Sequence, residues 1–116
     1  MRRFKREDSF RYEFIQPLDT SFYISRMRGK KSQSSRGKGV ILNISTGGLR
    51  LDTFLDLPLN REIELTFELD IANKIIQPIG YIVWKDKSDN SFKYGISFIS
   101  DDHEQAIINA LKIFPK

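Results

Sequence analysis

Hydrophobic and polar positions alternate along most of this chain. The clearest run is REIELTFEL (61–69), where Ile63, Leu65, Phe67 and Leu69 alternate with Glu62, Glu64, Thr66 and Glu68. A period of two sends one set to a buried face and the other to water, which is the pattern of a half-buried strand. FKYGISFI (92–99) repeats it with Phe92, Tyr94, Ile96 and Phe98. FRYEFIQ, TSFYISRM, KGVILNI and GGLRLDT are earlier strand candidates, and GYIVWKDKSDNSFKYGISF reads as a hairpin broken by the polar KDKSDNS. Pro78 cannot donate to a ladder, so it marks an edge or a bulge. The pattern predicts about six or seven short strands.

The period changes at the C-terminus. In DDHEQAIINALKIFPK, Ile107, Ala110, Leu111 and Phe114 fall at helical spacing, with Asp101 as N-cap, Glu104 three residues on and Pro115 as the stop. Antiparallel strands followed by one amphipathic helix predict a mainly β fold: a small six- to seven-stranded antiparallel β-barrel with one C-terminal α-helix packed on it. The chain of 116 residues is expected to be a single domain, with a flexible basic leader at 1–10, the barrel at 11–100 and the helix at 101–115.

Composition narrows the chemistry. There are no cysteines, which excludes disulfides and thiolate metal sites, and a single histidine, His103, which excludes multi-histidine clusters. No apolar run approaches the roughly 18 residues that span a bilayer, and the basic N-terminus lacks the apolar segment of a secretory signal. A cytoplasmic protein with no membrane partner is the expectation. Charge is unevenly placed: residues 1–40 hold 11 Lys/Arg against 4 Asp/Glu, while the remainder holds 8 against 11. A positive end on an acidic body points to an anionic partner. Within it, RGKKSQSSRGKG (28–39) carries five basic residues, three serines and three glycines, and reads as a flexible hairpin loop, either a solubilising tip or an arm that closes over an anion.

No catalytic constellation emerges. Ser45 lacks the strand–elbow–helix context of a hydrolase nucleophile, and no GxxxxGK[ST] loop occurs. An enzyme is not expected. What remains is arginine and glycine. The leader MRRFKREDSFRYEF sets Arg2, Arg3, Arg6 and Arg11 among aromatic residues. Guanidinium groups engage phosphate bidentately and also pair with O6 and N7 of guanine. In VILNISTGGLRLDT the strand pattern breaks at Asn43, Ser45, Gly47 and Gly48 and then resumes. Asn43 and Ser45 stand two apart and so share a strand face, while Gly48 leaves room for a base or for an unusual backbone angle. A simple turn capped by Asn43 is the plainer reading of the same residues.

Arg2-Arg3-Phe4-Lys5-Arg6 is an RxxxR pair, and Asn43-Ile44-Ser45-Thr46-Gly47-Gly48 is a [D/N]xSxxG element. In this order, followed by GYIVW (80–84), YGISF (94–98) and a terminal helix, they resemble the PilZ domain, the bacterial receptor module for cyclic di-GMP. The resemblance covers nearly the whole chain. It implies a non-enzymatic nucleotide receptor in signal transduction, with cyclic di-GMP as ligand, no cofactor, no metal and a protein partner in motility, biofilm or surface processes. It also implies that leader arginines contact phosphates and guanine edges while the [D/N]xSxxG strand supplies polar contacts to a guanine. The spacing departs from the family pattern, because four residues separate Arg6 from Arg11 where three are usual. The working pair is Arg2 with Arg6 or Arg6 with Arg11. A degenerate domain that binds no nucleotide and serves as a protein-interaction module is the alternative. Single-stranded nucleic acid as the partner is disfavoured by the acidic face of REIELTFEL.

Overall fold

The computed structural model describes residues 11–114. Arg2, Arg3 and Arg6, and with them the leader assigned to 1–10, lie outside the described residues. The strands are β1 (Arg11–Met27), β2 (Lys30–Lys31), β3 (Gly37–Ser45), β4 (Gly48–Thr53), β5 (Ile63–Ile71), β6 (Lys74–Ile76), β7 (Ile79–Ser88) and β8 (Ser91–Phe98), followed by the helix α1 (Glu104–Ile113). All pairings are antiparallel, in the order β2-β1-β3-β4-β8-β7-β5-β6. A further β1–β5 pairing closes β1, β3, β4, β8, β7 and β5 into a ring of six strands, the form the expected barrel takes.

Alternation fixes what faces inward. Ile63, Leu65, Phe67, Leu69 and Ile71 of β5 are all buried, as are Leu49 and Leu51 of β4 and Tyr94 and Ile96 of β8. The outward residues of β5, and Glu62 just before it, are not merely solvated. Glu62, Glu64 and Glu68 pair with Arg28, Arg26 and Arg36 respectively, so the acidic row lies against the basic first hairpin.

Three expectations are corrected. FRYEFIQ and TSFYISRM form one strand of 17 residues, not two. Its register jumps from Glu13 opposite Asn43 to Leu18 opposite Ile41, and the excess residues form a bulge. Pro17 falls in that bulge, where its missing N–H costs no ladder bond. The segment 28–39 is less of a loop than its composition implies: Gly37–Gly39 belong to β3, and Ser32 and Ser34 donate backbone N–H groups to the Ser25 and Ile24 carbonyls. Finally, α1 begins at Glu104 with His103 at the cap position and no side-chain cap. Asp101 does not cap it, because its carbonyl accepts the Glu104 N–H in a tight turn that precedes the helix. The helix ends at Ile113, and Phe114 is extended, as a residue before proline tends to be.

Each end of the ring is covered differently. At one end α1 buries Ile107, Ala110 and Leu111, and Phe114 packs edge-on against Tyr12 and Phe14 at 5.9 and 5.5 Å between ring centres. At the other end the segment 54–62 crosses over, held by Tyr94. The Tyr94 hydroxyl donates to the Leu55 carbonyl at 2.6 Å and accepts the Leu57 N–H at 2.7 Å. Lys85 donates to the Leu57 carbonyl and pairs with Asp56.

Burial pushes the Tyr94 phenol above its ordinary value, and the hydrogen bond to Asp56 is the main cause holding the Lys85 ammonium above its own. Both groups hold their protons more tightly in the folded chain. The stability they contribute is therefore present below their unfolded values, near pH 10, and lost as pH rises through the folded ones. Tyr94→Phe is expected to lower unfolding free energy by about 1–3 kcal/mol, since it strands two backbone groups. Urea titrations across the alkaline range should show a shallower decline for Tyr94→Phe than for the unaltered chain.

Candidate functional site

The [D/N]xSxxG segment forms the end of β3 and the turn into β4. Ile44 points into the core, so its neighbours Asn43 and Ser45 take the opposite face, yet both are almost fully buried, at 2% and 1% exposure. Ser45 is fixed by the turn: its hydroxyl accepts the Gly47 N–H at 3.2 Å and lies 3.4 Å from the Gly48 carbonyl. Gly47 in turn accepts the Phe98 N–H at 2.9 Å.

The start of β1 runs beside this segment, with Arg11 opposite Ser45 and Glu13 opposite Asn43. From there the Arg11 guanidinium reaches diagonally and donates to Asn43 Oδ1 at 2.7 Å. The structure thus brings together four residues from the two motifs, Arg11, Asn43, Ser45 and Gly48. Gly48 has a packing reason of its own. A Cβ there would stand 2.0 Å from the Ile96 carbonyl oxygen, so only glycine allows β4 to close against β8.

Two residues that the sequence did not assign to the site extend the same face. Register places Asn43 opposite Arg50, Arg50 opposite Gly95, and Gly95 opposite Trp84, a row running across β3, β4, β8 and β7. The Trp84 indole lies directly over Gly95, where a Cβ would meet its Nε1 at 2.1 Å. The Arg50 guanidinium stands over the Trp84 ring at 5.1 Å, a cation–π distance. Its Nε is buried and finds no hydrogen-bond partner among the described residues. Alternation in GGLRLDT was the signal available for Arg50, since it separates that residue from Leu49 and Leu51. Trp84 is displaced by a register shift between Ile82 and Trp84, which alternation alone does not show.

Chemically, this face offers a flat aromatic surface still 38% exposed and the Arg11 and Arg50 guanidinium groups, with Asn43 and Ser45 buried beside them. That set suits a planar, anionic, hydrogen-bonding ligand. It contains no general acid–base pair. Among the described residues no group of three or more His, Asp or Glu side chains is placed to hold a metal ion.

The family model described as PilZ domain matches residues 2–112. The chain is similar in structure to the Bacillus subtilis inhibitor of motility (MotI/DgrA), with a TM-score of 0.67 and 14% identity over 97% of this chain and 53% of that one. It therefore spans about half the length of that protein. It is also similar to the PilZ domain of YcgR from Escherichia coli with c-di-GMP, with a TM-score of 0.62 and 13% identity over 93% of this chain and 92% of that one. No curated protein matches the chain.

Two substitutions test the construction of this face. Gly48→Ala is expected to destabilise by about 1–3 kcal/mol, because a backbone carbonyl cannot swing aside as a side chain can. Gly95→Val should lift the indole off the sheet, and the fluorescence of Trp84, the sole tryptophan, should shift to the red in the folded protein. An unchanged emission maximum would refute the described seating of the ring.

Proposed function

The chain belongs to the PilZ domain family, and on that premise we propose that it is a cytoplasmic, non-enzymatic receptor for cyclic di-GMP. The observation that carries this reading is the 2.7 Å bond from Arg11 to Asn43, which joins the arginine-bearing segment to the [D/N]xSxxG strand on one face. The row continuing through Arg50 to Trp84 supports it, because a purine needs both a stacking surface and polar edges.

In this reading Arg6, with Arg2 or Arg11, clamps phosphate and guanine, and Arg3 adds positive charge beside them. Asn43 and Ser45 address the base, and Gly47 and Gly48 keep the turn tight beneath it. Trp84 and Arg50 offer the stacking surface. Arg11 is engaged with Asn43 Oδ1 in the described structure, so ligand entry exchanges that bond for bonds to the nucleotide. The exchange frees the start of β1 to rearrange and to present a new surface to a protein partner. One structurally similar protein is an inhibitor of motility, which supports motility as a process that such a partner serves.

The same bond favours one second reading. With the Asn43 acceptor satisfied internally and the arginine spacing irregular, the domain would bind no nucleotide and act as an interaction module. Calorimetry with cyclic di-GMP separates the two. Saturable heat at micromolar ligand is the expected result. Arg6→Ala and Asn43→Ala should each weaken binding about 10- to 100-fold, the loss of one charge-assisted hydrogen bond or its equivalent, and so should whichever of Arg2→Ala and Arg11→Ala removes the second arginine of the pair. No heat from the intact chain would select the second reading.

A further inference from the structure

The end of the ring opposite α1 combines two features that the nucleotide reading leaves unused. The first is a largely apolar segment tied down at Leu55 and Leu57. Phe54 is 79% exposed and Leu59 is 58% exposed, on a stretch whose backbone Tyr94 and Lys85 hold from inside. Exposed bulky side chains on a fixed backbone lose little conformational freedom when they become covered. The second is the basic hairpin arm. Arg28 and Arg36 are paired with Glu62 and Glu68, but Lys30, Lys31 and Lys38 are exposed and make no ion pair among the described residues.

The two features share one surface. The Thr53 hydroxyl, just before Phe54, donates to the Lys38 carbonyl at 2.7 Å, and the Arg28 N–H donates to the Glu62 carbonyl at 2.9 Å. Leu55 packs against Gly37 so closely that a Cβ there would fall 2.5 Å from Leu55 Cδ1. Between β1 and the arm lies a hollow of about 470 Å³ lined by Tyr23, Ser25, Arg26, Lys31, Ser32 and Gln33. Its lining contains cations and hydrogen-bonding groups and no acidic side chain.

We propose that this end docks onto an anionic phospholipid surface, with Phe54 and Leu59 entering the interfacial layer and Lys30, Lys31 and Lys38 lying over the headgroups. Apolar side chains flanked by lysine and arginine gain from burial and from the negative surface potential together. Charge also argues against a second copy as the occupant. A cavity of about 460 Å³ beside Phe54 has room for another copy's ring, but the contact would bring two sets of unpaired lysines together. A fluid acyl layer accepts protruding side chains without matching hollows. The proposal is independent of the nucleotide reading and departs from the expectation of no membrane partner, which rested on the lack of a spanning segment. No helix among the described residues is long and apolar enough to cross a membrane, and adsorption requires none.

The test is co-sedimentation of the full chain with vesicles of phosphatidylcholine containing phosphatidylglycerol, and with vesicles of phosphatidylcholine alone. Pelleting only with the anionic vesicles, weakened by added salt, is the expected result. The double variant Lys30→Gln/Lys31→Gln should partition about 30-fold less, at roughly 1 kcal/mol for each charge removed. Phe54→Ser should partition about tenfold less, through lost apolar burial. These side chains are exposed, and melting curves will show that the variants fold. Absent pelleting, equal pelleting with neutral vesicles, or unaltered partition of the variants would each overturn the proposal. So would a concentration-dependent dimer in sedimentation velocity that Phe54→Ser abolishes, which would give this face to a second copy.

Discussion

The fold depends on β1 being paired along both edges. Thr20, Ser21 and Phe22 lie opposite Gly39, Lys38 and Gly37 of β3 and, at the same time, opposite Leu69, Glu68 and Phe67 of β5. That double pairing converts an open sheet into a ring, and it is paid for by the bulge at Phe14–Pro17, which lets one strand of 17 residues turn the corner. Closure requires very close packing where the strands converge. A Cβ at Gly39 would lie 2.7 Å from the Asp52 carbonyl oxygen, so the glycines of RGKKSQSSRGKG serve the sheet as much as the turn. Closing the ring also leaves fewer free edges than an open sheet, and an unpaired edge is a surface for aggregation.

Closure sets the two proposed surfaces at opposite ends of the ring. The chain leaves its first segment at Arg11, beside the end of β3, and that neighbourhood is shared with α1 through Tyr12, Phe14 and Phe114. In the proposed reading a ligand that displaces Arg11 from Asn43 acts on the first residue of β1, next to an aromatic cluster that ties β1 to Phe114 at the end of the helix. The coupling needs no long path, because site and helix contacts sit on adjacent residues of one strand. At the far end β1 finishes against β5 through Met27 and Ile63, where the arm and the crossing segment meet.

Much of this was legible in the sequence, and the residues explain why. Strict alternation in REIELTFEL survives folding because each inward residue of β5 faces one common core, so its periodicity needed no tertiary knowledge. The motifs were legible because Asn43, Ser45 and Gly48 are adjacent in sequence. Strand continuity was not, since Pro17 within an apolar–polar pattern looks the same whether it ends a strand or sits in a bulge. The helix start was missed for a related reason: Asp101 and Glu104 have capping-box spacing, but local spacing cannot reveal that the Asp101 carbonyl closes a turn first. The partners of the basic arm were equally hidden, because Arg26–Glu64, Arg28–Glu62 and Arg36–Glu68 join residues that only the β1–β5 pairing brings together.

Trp84 shows how fold and site become one argument. In the sequence it is the last residue of an apolar run and would ordinarily be assigned to the core. The register shift after Ile82 turns it outward, Gly95 gives it a flat bed, and Arg50 covers its exposed face. An outward tryptophan kept flat on a sheet is costly unless something covers it, and the guanidinium does so only in part, leaving its own Nε without a partner among the described residues. In the proposed reading, a planar ligand resting there removes more of the ring from water than the arginine alone. A purine in that reading covers a ring that the described residues leave partly exposed, a reason for a binding face here that comes from packing.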